Sequence, residues 1–245
     1  MNKKTATATL SSELAERIRQ DLLDGLIAPD SRINEVSLSR ELAVSRTPLR
    51  SALQMLAGEG MLNYTPNRGF TVRAFQLSEI VDAYEMRALA EGLAARLAAE
   101  RGLSAEACVL LETALMRGDQ ILAGETTPNI QRSEYAAINE IFHSIIHEAA
   151  NSRLVSDVLR LCQQIPQASA HNIVAFEIGD MLERHRFHHR IYDAILAREP
   201  REAETLMRQH VASVKTAMVR ATSRQMSAAQ GKQAKQGKTT LEESR

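Results

Sequence analysis

Apolar residues at helical spacing open the chain. Leu10, Leu14, Ile18 and Leu22 repeat every fourth position and predict a helix that starts near Ser11 or Ser12 and ends at Gly25. Residues 1–9 before it are small and polar and read as a flexible arm. Ala28-Pro29-Asp30-Ser31 predicts a turn, and Ser37–Ala43 a short second helix. Ser45 is placed to cap a third helix, which tolerates Pro48 in its first turn and stops at Gly58-Glu59-Gly60. Two short strands follow at Leu62–Tyr64 and Phe70–Arg73, joined by the turn Thr65-Pro66-Asn67-Arg68-Gly69.

After Ser78 the pattern is helical throughout, with predicted helices at Ser78–Glu100, Ser104–Leu122, Ser133–Ala149, Ser152–Ala168, Asp180–Ala197 and Arg201–Thr222, and a loop containing Pro128. From Ser223 the chain is rich in Ala, Gln, Lys and Ser. It holds too few apolar residues to offset ordering entropy, so 223–245 is expected to be disordered. The expected fold is mainly α: a winged helix-turn-helix over 10–74, a linker over 75–77, and an all-helical bundle over 78–222.

Composition agrees with this division. A chain of 245 residues is comfortable as two domains. Aromatics are only 4% and Trp is absent, so Leu, Ala, Ile and Met must fill the core, which suits packed helices. Cys108 and Cys162 lie far apart and indicate neither a disulfide framework nor a thiolate metal site. No apolar run is long enough to span a membrane and the N-terminus lacks an apolar signal core, so a cytoplasmic location is expected.

A net charge of zero gives no overall attraction to nucleic acid, so any basic surface is local. It lies between Arg40 and Arg73, where Arg40, Arg46, Arg50, Arg68 and Arg73 face only Glu41 and Glu59. Within the third helix, Leu49, Ala52, Leu53 and Leu56 make an apolar stripe. Arg46, Arg50 and Gln54 stand on a polar face with Thr47 beside them. Arginine donates two hydrogen bonds to guanine O6 and N7, so two of them one turn apart at the head of a helix suit the major groove. Backbone N–H groups near Ser45 can hold a phosphate, and Arg68-Gly69 sets a cation at the hairpin tip. A merely solvated basic face is the competing reading.

The run ELAVSRTPLRSALQMLAGEGMLNYTPNRGFTVR, within Leu14–Arg73, resembles the DNA-binding domain of the GntR family of regulators. The resemblance implies Ser45, Arg46, Thr47, Pro48 and Arg50 in the major groove and Arg68 with Gly69 at the wing. Some relatives have a basic contact near the start of the second helix, where this chain has Glu35-Val36.

The helical remainder holds His143, with Asn139 one turn earlier, then His188 and His210, on three predicted helices. Imidazoles converging in a bundle core make a transition-metal site with open positions. By spacing alone His147, His171, His185 and His189 offer competing combinations. Residues 78–222 resemble the FCD domain of FadR-type members of the same family, in which a carboxylate and three His hold a divalent metal. That resemblance implies Asn139, His143, His188 and His210 as ligands to zinc, nickel or manganese. Asn stands where Asp is expected, and its amide oxygen lacks the charge. Arg87 matches an Arg common in the family, available to bind a carboxylate effector. Alternatively it pairs internally with Glu91, at i+4.

A His-metal enzyme with an N-terminal interaction module is the alternative. His143-x-x-x-His147-Glu148 resembles zinc-enzyme motifs but lacks the HExxH order, and no nucleophile–base pair or nucleotide fingerprint is present. The expectation is therefore a regulator and not an enzyme: a homodimer on a palindromic double-stranded operator, controlled by a small carboxylate.

Overall fold

The computed structural model describes residues 3–23, 25–124, 127–165 and 178–219. Its buried apolar side chains form two separate clusters, one in the first 72 residues and one from Ile80 onward.

The first cluster is enclosed by α1 (Lys3–Leu23), α2 (Glu35–Glu41), α3 (Arg46–Gly58) and the antiparallel pair β1 (Leu62–Thr65) and β2 (Gly69–Val72). Helix α1 begins at Lys3, so the stretch read as a flexible arm is helical from its third residue. Lys-Lys-Thr-Ala-Thr-Ala-Thr contains no Gly or Pro to halt a helix already nucleated downstream. Leu14, Ile18 and Leu22 meet Leu49, Ala52, Leu53 and Leu56 of α3, all buried, as the apolar stripe predicts. Helix α2 starts two residues before the predicted Ser37, because Asn34 Oδ1 accepts hydrogen bonds from the N–H groups of Val36 and Ser37 at 3.0 and 3.1 Å. The hairpin pairs Leu62 with Val72 through Thr65 with Gly69. Its tip needs left-handed backbone at Asn67 and Gly69 (φ 60° and 82°), which Asn and Gly tolerate.

The second cluster lies among α4 (Leu77–Arg101), α5 (Ala105–Ala123), α6 (Pro128–Ala150), α7 (Arg153–Gln163), α8 (Ile178–Leu196) and α9 (200–219). Buried Ala90, Ala94, Ala95 and Ala98 give α4 a face of small residues, so α6 and α7 pack against it and α5 packs on α6 and α8. Pro128, expected in a loop, sits in the first turn of α6, where its missing N–H leaves no bond unmade. Residues 166–168, 220–222 and the tail 223–245, with His171, lie outside the described residues. No helix among the described residues is long and apolar enough to cross a membrane.

Candidate functional site

The first site is the outer face of α3 with the wing. Ser45 takes the N-cap position with extended backbone, and its hydroxyl makes no capping bond. Ser45, Arg46, Thr47, Arg50 and Gln54 are exposed. Arg46, Thr47, Arg50, Ser51 and Gln54 line one shallow groove. Arg46 also borders a second cleft with Arg32, Asn34, Arg68 and Gly69, so the wing tip and the helix head share one surface. Pro48 differs from the expectation. It is buried beside Leu49 and offers no surface to a base edge, and its fixed φ instead suits the first turn of α3. Glu35 lines both grooves, with Oε2 3.8 Å from Arg50 Nη1, while Arg50 Nη2 donates to Tyr64 Oη at 3.3 Å.

The second site is buried in the bundle. His143 on α6, His188 on α8 and His210 on α9 are 2%, 1% and 2% exposed. One nitrogen from each lies within 4.8 Å of the other two, and His188 Nε2 is 3.3 Å from His210 Nε2. Donors at about 2.0–2.1 Å around a tetrahedral ion stand roughly 3.3 Å apart, so this spacing fits shared ligation. His143 Nδ1 lies 3.1 Å from Glu91 Oε2; donation there turns the Nε2 lone pair inward, and that nitrogen is buried with no partner among the described residues. His188 Nδ1 lies 3.5 Å from Tyr135 Oη, which leaves its Nε2 for the same centre. Burial pushes the pKa of all three imidazoles down, furthest for His188 and His210, so they are neutral and ready to ligate. Asn139 is buried one turn before His143. The three imidazoles fit a borderline divalent ion.

Two comparisons of sequence bear on both sites. The profile described as "Bacterial regulatory proteins, gntR family" matches residues 10–72, and that described as "FCD domain" matches 82–213, more than half the chain. The chain belongs to the GntR family, with an FCD domain. This GntR regulator is 37% identical over 138 residues to the Nta operon transcriptional regulator of Aminobacter aminovorans, 56% of this chain and 62% of that protein. It is 27% identical to the probable D-xylose utilization operon transcriptional repressor of Paenarthrobacter nicotinovorans, over 86% of this chain and 90% of that one. The Escherichia coli McbR/YncC structure shares its fold, with a TM-score of 0.68 and 21% identity over 84% of this chain and 96% of that one. Both domains and these relatives are transcription regulators, so the protein is a DNA-binding regulator and not an enzyme.

Three residues of the regulator's bundle site escaped the sequence reading. Glu91, fully buried on α4, accepts from His147 Nε2 at 2.8 Å as well as from His143, and its other oxygen lies 3.3 Å from Arg87 Nε. Arg87 thus makes the internal pairing with Glu91 that the i+4 spacing allows. Burial alone would raise the Glu91 pKa, but His143 and His147 hold it well below the usual carboxylate range. Tyr135 reaches both His185 and His188. Arg184 is buried one turn before His188, a spacing that could have drawn notice to it. Glu91 had only its i+4 relation to Arg87 as a signal.

Proposed function

We propose that this regulator is a dimeric repressor of a metabolic operon, released or engaged by a small carboxylate that binds at a metal held by His143, His188 and His210, with Asn139 as a further donor. The observation that carries the reading is the convergence of three buried, neutral imidazoles around an unpartnered Nε2. Zinc, nickel or manganese in that centre would supply positive charge for an anion. The chain supplies the rest. Glu91 orients His143, Tyr135 orients His188, and Arg87 and Arg184 place two further buried guanidinium groups within the bundle. Ser45, Arg46, Thr47 and Arg50 read the major groove of a palindromic operator, with Arg68 and Gly69 at the wing.

A thermal-shift screen tests the sensing half. Metal should raise the melting temperature of chelated protein, and carboxylates should raise it further only when metal is restored, because a ligand of the native state stabilises it by mass action. Stabilisation by neutral sugars or amines, with carboxylates inert in both conditions, would reject the anion-on-metal reading. Elemental analysis of gently purified protein and a promoter reporter with the regulator deleted decide metal content and the sign of control.

A further inference from the structure

A second cluster of ligand atoms lies at the crossing of α5 and α8, apart from the buried centre. We propose that Asp119 Oδ1, His185 Nε2 and His189 Nε2 form a solvent-facing divalent-metal site that takes a borderline ion such as zinc, nickel or cobalt, with water completing its shell. One ligand atom from each of the three residues lies within 4.8 Å of one from each of the other two. Asp119 Oδ1 is 3.3 Å from His185 Nε2 and 3.2 Å from His189 Nε2. These are the separations of donors sharing a tetrahedral ion, roughly 3.3 Å. The two histidines are one turn apart on α8, which turns both rings toward α5. Two imidazoles and one carboxylate make a donor set for first-row transition ions rather than for magnesium or calcium.

The site is built rather than incidental on one side and open on the other. His185 is 5% exposed, and its ring lies over Gly118 of α5, where an added Cβ would stand 2.2 Å from Cε1. Only glycine leaves room for the ring at that depth. Its far nitrogen, Nδ1, is 3.3 Å from Tyr135 Oη, the partner a ligating imidazole needs to fix its ring. Asp119 and His189 are 56% and 41% exposed, so an ion can enter from solvent and keep water ligands. Without metal, His185 Nε2 also has Leu115 O at 3.1 Å as a hydrogen-bond acceptor. Ligation moves that proton to Nδ1, where the Tyr135 hydroxyl oxygen accepts it as a hydrogen-bond partner. The imidazole stays neutral throughout. Tyr135 Oη also lies 3.5 Å from His188 Nδ1, so one hydroxyl touches a ligand of each site.

The test is titration of chelator-stripped, full-length protein with cobalt(II), followed by calorimetry and the visible spectrum. Wild type should bind two equivalents per chain. His189→Ala and Asp119→Ala, both at exposed positions, should each weaken one equivalent by at least about tenfold, since even outer partners of metal ligands are worth ~10–100-fold. His210→Ala should remove the other equivalent. If the buried centre binds nothing, a single equivalent should survive His210→Ala unchanged and weaken at least about tenfold in His189→Ala, and the proposal stands. A single equivalent lost in His210→Ala but untouched in His189→Ala and Asp119→Ala overturns it. So do two equivalents that neither surface variant disturbs, and so does a complete absence of binding.

Discussion

At the scale of single residues, the proposed DNA-facing surface is set by how Arg46, Arg50 and Glu35 divide their charges. Arg50 is held between Glu35 and Tyr64, so its guanidinium is already positioned on the groove side of α3. Arg46→Ala and Arg50→Ala should each weaken specific operator binding by about 1–3 kcal/mol, the loss expected for a base-edge contact. Arg68→Ala at the wing should lower binding less and evenly across sequences. Glu35→Gln removes a negative charge from the same surface and frees Arg50, so affinity for nonspecific DNA should rise and the salt dependence should steepen. Gel-shift titrations at several fixed salt concentrations read all four; unchanged operator affinity in both helix variants would remove α3 as the reading element. The arginines were legible because they share an i, i+4 face. Glu35 was visible only as an acidic residue in an unusual place, because its contact with Arg50 depends on how α2 meets α3. Glu91 was less legible still: its partner His143 is 52 residues away, and no local periodicity encodes that meeting.

Whole helices were the most legible level, since each amphipathic stretch announces one through its period, and α3 and α5 follow closely the pattern that predicted them. Their ends were less so. Asn34 drew α2 forward by capping, and Pro128 opened α6 where proline had suggested a loop. How α5 crosses α8 was not legible at all, because Gly118 inside a helical run reads as a weak point rather than as the seat of a ring. That crossing yields a stability prediction. Gly118→Ala gains about 1 kcal/mol of helix propensity. It also drives a Cβ to within 2.2 Å of His185 Cε1. The ring is buried and bounded by Leu115 O and Tyr135 Oη, so it cannot swing away freely. Overpacking of this kind costs about 1–3 kcal/mol, so after the propensity gain the net loss is up to about 2 kcal/mol. In a chain of this size each kcal/mol lowers Tm by roughly 2–4 °C. A melting curve of the variant at or above wild type would show that α5 and α8 adjust and that the glycine is not required.

For the molecule as a whole, the question is how a small reading head attains useful specificity. The polar face of α3 offers Arg46, Thr47, Arg50 and Gln54, enough side chains to read a few base pairs. The apolar core of this head is separate from that of the bundle, so the bundle can carry it without sharing its packing. Two heads joined through dimeric bundles, as proposed, would turn the second binding event into an intramolecular one, which raises overall affinity by about 10²–10⁴ without any new contact. The gain exists only if both heads face the same side of the duplex, with half-sites one helical turn or a multiple apart, about 10–10.5 base pairs. The full-length protein should therefore bind a palindrome at least about 100-fold more tightly than a single half-site. Inserting about 5 base pairs between the half-sites turns the second one to the opposite face and should abolish that gain. Inserting a full turn should restore part of it, limited by how far the segment between Val72 and Leu77 lets the heads separate. Gel shifts on the spacing series, with sedimentation of the free protein, provide the measurement. A monomer in sedimentation, or affinity indifferent to spacing, would mean that each head acts alone and that the bundle contributes sensing without the geometry of a pair.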